Sequence, residues 1–187
     1  MFQQALIYLQ MQLSGYSRYT MPKPQVTDPE IMSDPTANDA RLCLPSFFPY
    51  QLAVFSDDVS KAIAQLYRGR YKLSRQEWRV LAALGERDGL SAKEIAEYST
   101  LDKTQTSRAA ARLLHNGLII RDEDDSDRRH LRHKLTGKGR AVYREIVPLV
   151  RARESYILST LSEQETKELA RLMTKVHQKA LELQQWG

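Results

Sequence analysis

Residues 91–136 read SAKEIAEYSTLDKTQTSRAAARLLHNGLIIRDEDDSDRRHLRHKLT, and this stretch decides the fold. Ser91 with Glu94 is an S-x-x-E capping box, in which each side chain satisfies an unpaired amide at a helix start. Asp102 with Gln105 is a looser version that starts a second helix, and Gly117 ends that helix after Leu114. Leu118–Arg121 and Leu131–Thr136 then read as two short strands around an acidic-then-basic tip. Two short helices on a tight connection, followed by a hairpin with an arginine-rich tip, make a winged helix-turn-helix. Double-stranded DNA is the expected partner.

The second helix of the pair is the expected DNA reader. Ala109, Ala110, Leu113 and Leu114 form its inward face, which leaves Lys103, Thr104, Gln105, Ser107, Arg108 and Arg112 pointing out. Hydroxyls, an amide and guanidinia are the groups that bond phosphates and base edges in the major groove. The helix's amino end is expected to offer free amides to a phosphate oxygen. Thr106 falls at a position that is half-buried by periodicity. At the hairpin tip, Asp127-Arg128-Arg129 presents arginine to a narrow minor groove, with Asp127 placed to hold Arg129 through a bidentate pair. The acidic run Asp122–Asp125 is unusual beside a phosphate-facing loop.

Working outward, Phe48, Leu52, Phe55, Val59, Ile63 and Leu66 recur at spacings of three and four, one face of a long first helix that stops at Gly69. Ser74 with Glu77 and Ser162 with Glu165 are two further capping boxes. The Ser74 helix buries Trp78, Leu81 and Leu84. After Thr136 a long helix runs to about Thr160, with Pro148 inside it and a kink expected there. The last helix carries Leu169, Leu172, Met173, Val176, Ala180 and Leu183 along one face. The chain thus divides into an N-terminal arm at 1–44, broken by four prolines, with a short helix expected at Ala5–Leu13, and a domain at 45–187. Within that domain, helices at about 46–70, 138–160 and 162–186 flank a winged region at about 72–136.

Composition narrows the class. The chain has 187 residues, 42% hydrophobic and 27% charged, with a net charge of +5, as expected of one globular domain with a polyanionic partner. Placement says more than the total. Between Ser126 and Arg144 stand seven cations (Arg128, Arg129, Arg132, Lys134, Lys138, Arg140, Arg144) against one acid, Asp127, the footprint of a phosphate-binding patch. A single cysteine, Cys43, suits a reducing, cytoplasmic setting. No apolar run approaches the roughly 20 residues of a membrane span, and the opening MFQQALIYLQMQLSG lacks the basic start of a signal peptide.

These residues together resemble the MarR family of bacterial transcriptional regulators. The resemblance is carried by Leu73–Leu81 (LSRQEWRVL), Glu94-Ile95-Ala96, Lys103–Arg108, Leu113–Leu118, Asp127-Arg128-Arg129 and Leu135-Thr136-x-x-Gly139. It covers about residues 45–187. The last three elements, in that order and at those separations, are its specific part. Thr106 departs from the pattern, because the family more often has an aliphatic residue there.

The resemblance implies a mainly α fold with a small β-hairpin wing. It implies a triangular homodimer held by the first, fifth and sixth helices, and a repressor relieved by a ligand. The apolar faces at Phe48–Leu66 and Leu169–Leu183 independently exceed what one small winged domain buries. The implied effector crevice lies between the dimerisation helices and the winged region, lined from Phe55, Tyr67, Tyr71, Trp78 and Arg79, with Arg68 and Arg70 nearby. Aromatic walls with one or two cations suit a planar aromatic carboxylate or its coenzyme A thioester. The alternative is that these aromatics are plain core. The phrase around Trp78-Arg79 is similar to family members that govern aromatic-acid catabolism.

Three other classes compete. A cysteine-based redox sensor is one, but the first-helix stretch where some relatives carry their cysteine reads Tyr50-Gln51-Leu52-Ala53, and Cys43 lies earlier. A metal sensor is the second. His130 and His133 point to opposite strand faces, and His115 and His177 are distant, so no metal or cofactor is expected. An enzyme is the third, without a phosphate-cradling glycine loop, an H-E-x-x-H or a nucleophile–base grouping to support it. A helical dimeric scaffold that does not bind DNA is a further alternative.

Overall fold

The computed structural model describes residues 42–123 and 131–185. The helix expected at Ala5–Leu13 and the wing tip Asp127-Arg128-Arg129 lie outside them. Of the first compact unit, Met1–Gln51, the described part is a 3-10 turn at Leu44–Ser46 leading into helix α1 (Phe48–Arg68). Ser46 Oγ donates to Cys43 O at 3.1 Å and Gln51 Nε2 to Pro45 O at 2.8 Å.

The second unit, Leu52–Gly187, holds the rest of α1, then α2 (Arg75–Glu86), α3 (Ala92–Ser99), α4 (Lys103–His115), β1 (Ile119–Glu123), β2 (Leu131–Leu135), α5 (Gly137–Leu158) and α6 (Glu163–Gln184). Helices α2, α3 and α6 start with complete capping boxes at Ser74/Glu77, Ser91/Glu94 and Ser162/Glu165, as the sequence predicts. The looser signal also holds: the Asp102 carboxylate accepts from Gln105 N–H at 2.7 Å. Helix α4 ends in a Schellman motif. Leu118 N–H reaches Leu113 O at 2.9 Å and Gly117 N–H reaches Leu114 O at 3.0 Å, with Gly117 at φ 66°.

The stop after α1 differs in detail from expectation. The helix ends at Arg68, but the left-handed residue is Lys72 (φ 52°), not Gly69, because the reversal closes later with Leu73 N–H on Tyr67 O at 3.1 Å. Pro148 stands inside α5, which continues through it to Leu158.

The core joins the winged elements to α1 and α5. Ala64 and Tyr67 of α1, Leu73, Val80, Leu81 and Leu84 around α2, Ile95 of α3, Ala109, Ala110 and Leu113 of α4, and Ile146 of α5 are all buried in one cluster. The wing is an antiparallel pair with Ile119 opposite Leu135 and Asp122 opposite Arg132. Leu90, just before α3, bridges to His133 as a partial third strand. Helix α6 buries no residue within the chain, and Leu172, Met173, Val176 and Leu183 are exposed.

The Leu135-Thr136-x-x-Gly139 motif has a steric reason. Thr136 caps α5, its Oγ1 accepting from Gly139 N–H at 2.9 Å while donating to Gly117 O at 2.8 Å. That geometry presses Gly139 onto Leu118, where a Cβ would stand 1.9 Å from the carbonyl oxygen. Gly139→Ala must therefore push α5 away from β1. Urea denaturation is expected to show a loss of about 3 kcal/mol, and a change below about 0.5 kcal/mol would mean that this contact is soft.

Candidate nucleic-acid interface

Helix α4 presents two unlike faces. Thr106, Ala109, Ala110 and Leu113 are buried, while Lys103, Thr104, Gln105, Ser107, Arg108 and Arg112 are all exposed along the opposite side. Thr106 is wholly buried rather than half-buried, at 1% exposure. Its hydroxyl is satisfied by donating to Asp102 O at 2.9 Å, so the residue fits where an aliphatic one would. The helix's amino end is less open to anions than expected. Asp102 already occupies the Gln105 amide and places a carboxylate at that terminus.

Among the described residues, four cations of the expected patch have partners within the chain. Arg132 Nη1 reaches Glu94 Oε2 at 2.6 Å and Gly89 O at 3.2 Å, tying the wing to α3. Arg140 pairs with Asp88 at 2.6 Å, Lys134 with Asp122 at 3.6 Å, and Lys138 donates to Asn116 O at 2.9 Å. These four orient the wing base. Asp122, the first residue of the acidic run, thereby gains a partner on the neighbouring strand. The carboxyl of Glu94 is held below its ordinary range, first by the Ser91 hydroxyl and less by Arg132. Such part-exposed pairs contribute little stability singly, but their geometry fixes where the hairpin points.

The residues expected to line one crevice are separated. Tyr67 is buried and stacks on Trp78 with ring centroids 5.5 Å apart, and Trp78 in turn stacks on Tyr143 at 6.3 Å. Tyr71 Oη donates to Glu145 Oε2 at 3.0 Å and Arg70 pairs with the same oxygen at 3.1 Å, so both clasp α5. Burial, then that carboxylate, pushes the Tyr71 phenol pKa up. Phe55 is exposed on α1.

Only Trp78 and Arg79 of the expected set reach the cavity of about 400 Å³ between α2, α3 and α5, whose other walls include Glu86, Tyr98, Thr100, Tyr143, Val147 and Arg151. Sequence reasoning missed Tyr98, Tyr143 and Arg151. They sit on elements distant in sequence, and the one signal available was Gly85, whose missing side chain makes room for Tyr143: a Cβ there would lie 2.5 Å from its ring. No cluster of metal-ligating side chains occurs among the described residues, and no described helix is long and apolar enough to cross a membrane.

Recognition helix, wing and core define the chain as a winged helix-turn-helix protein. The sequence profile of the MarR family matches residues 71–130. An HTH-type transcriptional repressor of Mycobacterium tuberculosis is 27% identical over 124 residues, 66% of this chain and 86% of that protein. An HTH-type transcriptional regulator of Bacillus cereus is 30% identical over 119 residues, 63% of this chain and 79% of that one. Among solved structures, a MarR-family regulator of Silicibacter pomeroyi is 28% identical, with TM-score 0.62 over 73% of this chain and 98% of that one. Bordetella bronchiseptica BpsR, whose DNA binding is regulated by 6-hydroxynicotinic acid, shares the fold at 21% identity and TM-score 0.66, over 73% of this chain and 97% of that one. The chain belongs to the MarR family of DNA-binding transcriptional regulators. It is not an enzyme.

His133 lies under the wing at 6% exposure, its N–H on Leu90 O at 2.8 Å and its Nδ1 3.3 Å from the same oxygen. Burial, opposed by that contact and reinforced by Arg121, pulls its pKa below 6.5. The folded wing therefore prefers the neutral ring, and its contribution is present above about pH 6.5 and lost as pH falls below it. A His133→Gln protein is expected to lose less stability than the parent between about pH 7.5 and about pH 5.5. Parallel melting curves for the two proteins across that range would remove His133 from the account.

Proposed function

We propose that the chain is a ligand-relieved repressor that binds a pseudo-palindromic operator as a homodimer. The observation that carries the DNA half is the exposed polar row of α4, backed by a wholly buried opposite face. Lys103, Thr104 and Ser107 are assigned to phosphates, and Gln105, Arg108 and Arg112 to base edges of the major groove. Arg128 and Arg129, positioned by Asp127, are assigned to the adjacent minor groove.

The dimer half rests on α6. A 22-residue helix that buries nothing within its own chain, while exposing Leu172, Met173, Val176 and Leu183, is stable only with a partner for that face. A second copy, joined through α1, α5 and α6 in the triangular arrangement, supplies it. The two reading helices would then sit about 34 Å apart, one turn of DNA. The N-terminal arm at 1–44 stands outside this scheme, and the domain at 45–187 carries all of it.

The effector assigned to the cavity is a planar aromatic carboxylate or its thioester. Trp78 and Tyr143 offer stacked ring faces, while Arg79 and Arg151 offer cations. BpsR, with the same fold, answers to an acid of this class. Tyr67 supports the walls through Trp78, and Tyr71 and Arg70 through Glu145 of α5, while Phe55 stands exposed on α1 outside the cavity lining.

Mobility shifts on DNA from upstream of the protein's own gene test the DNA reading. Arg108→Ala and Gln105→Ala are expected to relax preference at single operator positions by roughly 1–3 kcal/mol. Equal losses on every sequence would limit α4 to gripping phosphate. Arg129→Ala is expected to lower the salt dependence by about one phosphate contact, and an unchanged slope would take the wing tip off the DNA. For the dimer, Leu172→Asp with Val176→Asp is expected to give monomers by analytical ultracentrifugation. Persistence of a dimer in that double variant would place the interface elsewhere.

A further inference from the structure

Arg79 leaves α2 on the cavity side and reaches the end of α3. Its Nη1 donates to Ser99 O at 3.4 Å and to Thr100 Oγ1 at 3.3 Å, and all three residues line the cavity. Thr100 is the residue on which the chain turns from α3 toward the reading helix. It is held at φ 53° and ψ 40°, in the left-handed region. A β-branched residue is poorly suited to that region, which glycine enters freely.

The turn is held from several sides. Thr100 Oγ1 donates to Ser99 O at 2.7 Å, its N–H reaches Ala96 O and Glu97 O, and Leu101 N–H reaches Ala96 O at 3.1 Å. Arg79 adds a hold from another helix. Asp102 follows two residues later as the N-cap of α4, so the backbone at Thr100 sets the direction in which α4 leaves.

We propose that Arg79 is a positioning residue: it holds Thr100 in the left-handed turn and so sets the approach of α4 to DNA, and an anion in the cavity draws it off. The second half rests on the effector reading above. Bonds of 3.3 and 3.4 Å to neutral oxygens are long. A carboxylate offers the same guanidinium shorter, charge-assisted bonds, roughly twice as strong. Once Arg79 turns to the ligand, Thr100 loses the hold that α2 provides against its strain. The turn then relaxes and α4 swings from the pose that reads the operator.

The test is a double-mutant cycle on the full chain, free of ligand, by titration of DNA from upstream of its own gene. Arg79→Ala is expected to bind about tenfold more weakly. Thr100→Gly is expected within about twofold of the parent, because glycine holds the turn unaided. The double variant is expected to match Thr100→Gly. A double variant as weak as Arg79→Ala overturns the proposal, since damage to α2 packing or a lost DNA contact would not be rescued at residue 100.

Benzoate is the probe for the second half. It is expected to weaken DNA binding by the parent and to leave Thr100→Gly nearly unaffected. Equal weakening of both overturns the Arg79–Thr100 route while the effector reading stands. Rescue in the cycle with no benzoate response from the parent upholds the positioning role and rejects the aromatic-acid occupant.

Discussion

The carbonyl of Leu118 is the point on which the rest of the molecule depends. It accepts from Thr136 N–H at 3.1 Å and Thr136 Oγ1 at 3.2 Å, and Gly139 packs directly over it. Four elements meet there: the end of the reading helix α4, the first wing strand, the end of the second, and the start of α5. A side chain at 139 would separate them, and a residue other than Gly117 would resist the turn that delivers Leu118 to the spot. The reading helix and the wing are thus parts of one rigid corner, and α5 leaves from that corner.

Charge in this protein is divided between two tasks. Cations of the wing base face inward to carboxylates and carbonyls: Arg132 to Glu94, Arg140 to Asp88, Lys138 to Asn116 O. Those of α4 stand exposed along its outer face, with Asp102 capping the helix beneath them. Pairing at the base aims the hairpin, while the exposed row leaves its amide, hydroxyl and guanidinium groups open to solvent. On another face the cavity is walled by Trp78 and Tyr143, with Tyr67 stacked behind Trp78, and Arg79 and Arg151 also line it.

The helix boundaries and the wing were legible because their causes are local. A capping box needs four residues, a Schellman turn needs a glycine at one position, and a buried α4 face needs small apolar residues at spacings of three and four. Thr106 was ambiguous because a polar side chain falls at a position that periodicity half-buries, and the Asp102 carbonyl that accepts its hydroxyl explains its burial. The expected crevice set depends on tertiary partners. Tyr67, Tyr71 and Arg70 have the chemistry of a ligand wall, but Trp78 and Glu145 claim them first. Tyr98, Tyr143 and Arg151 complete the wall from α3 and α5.

By itself the order of residues determined the elements, the corner motif and the family, since each depends on contacts within a few positions along the chain. Tertiary structure alone decided which cations are spent on orientation, which aromatics are core and which face the cavity. It also decided that Arg79 meets Thr100. Those outcomes depend on partners brought together from different elements, as Arg79 and Thr100 are at a separation of 21, and no local pattern records which of several chemically equal partners will arrive.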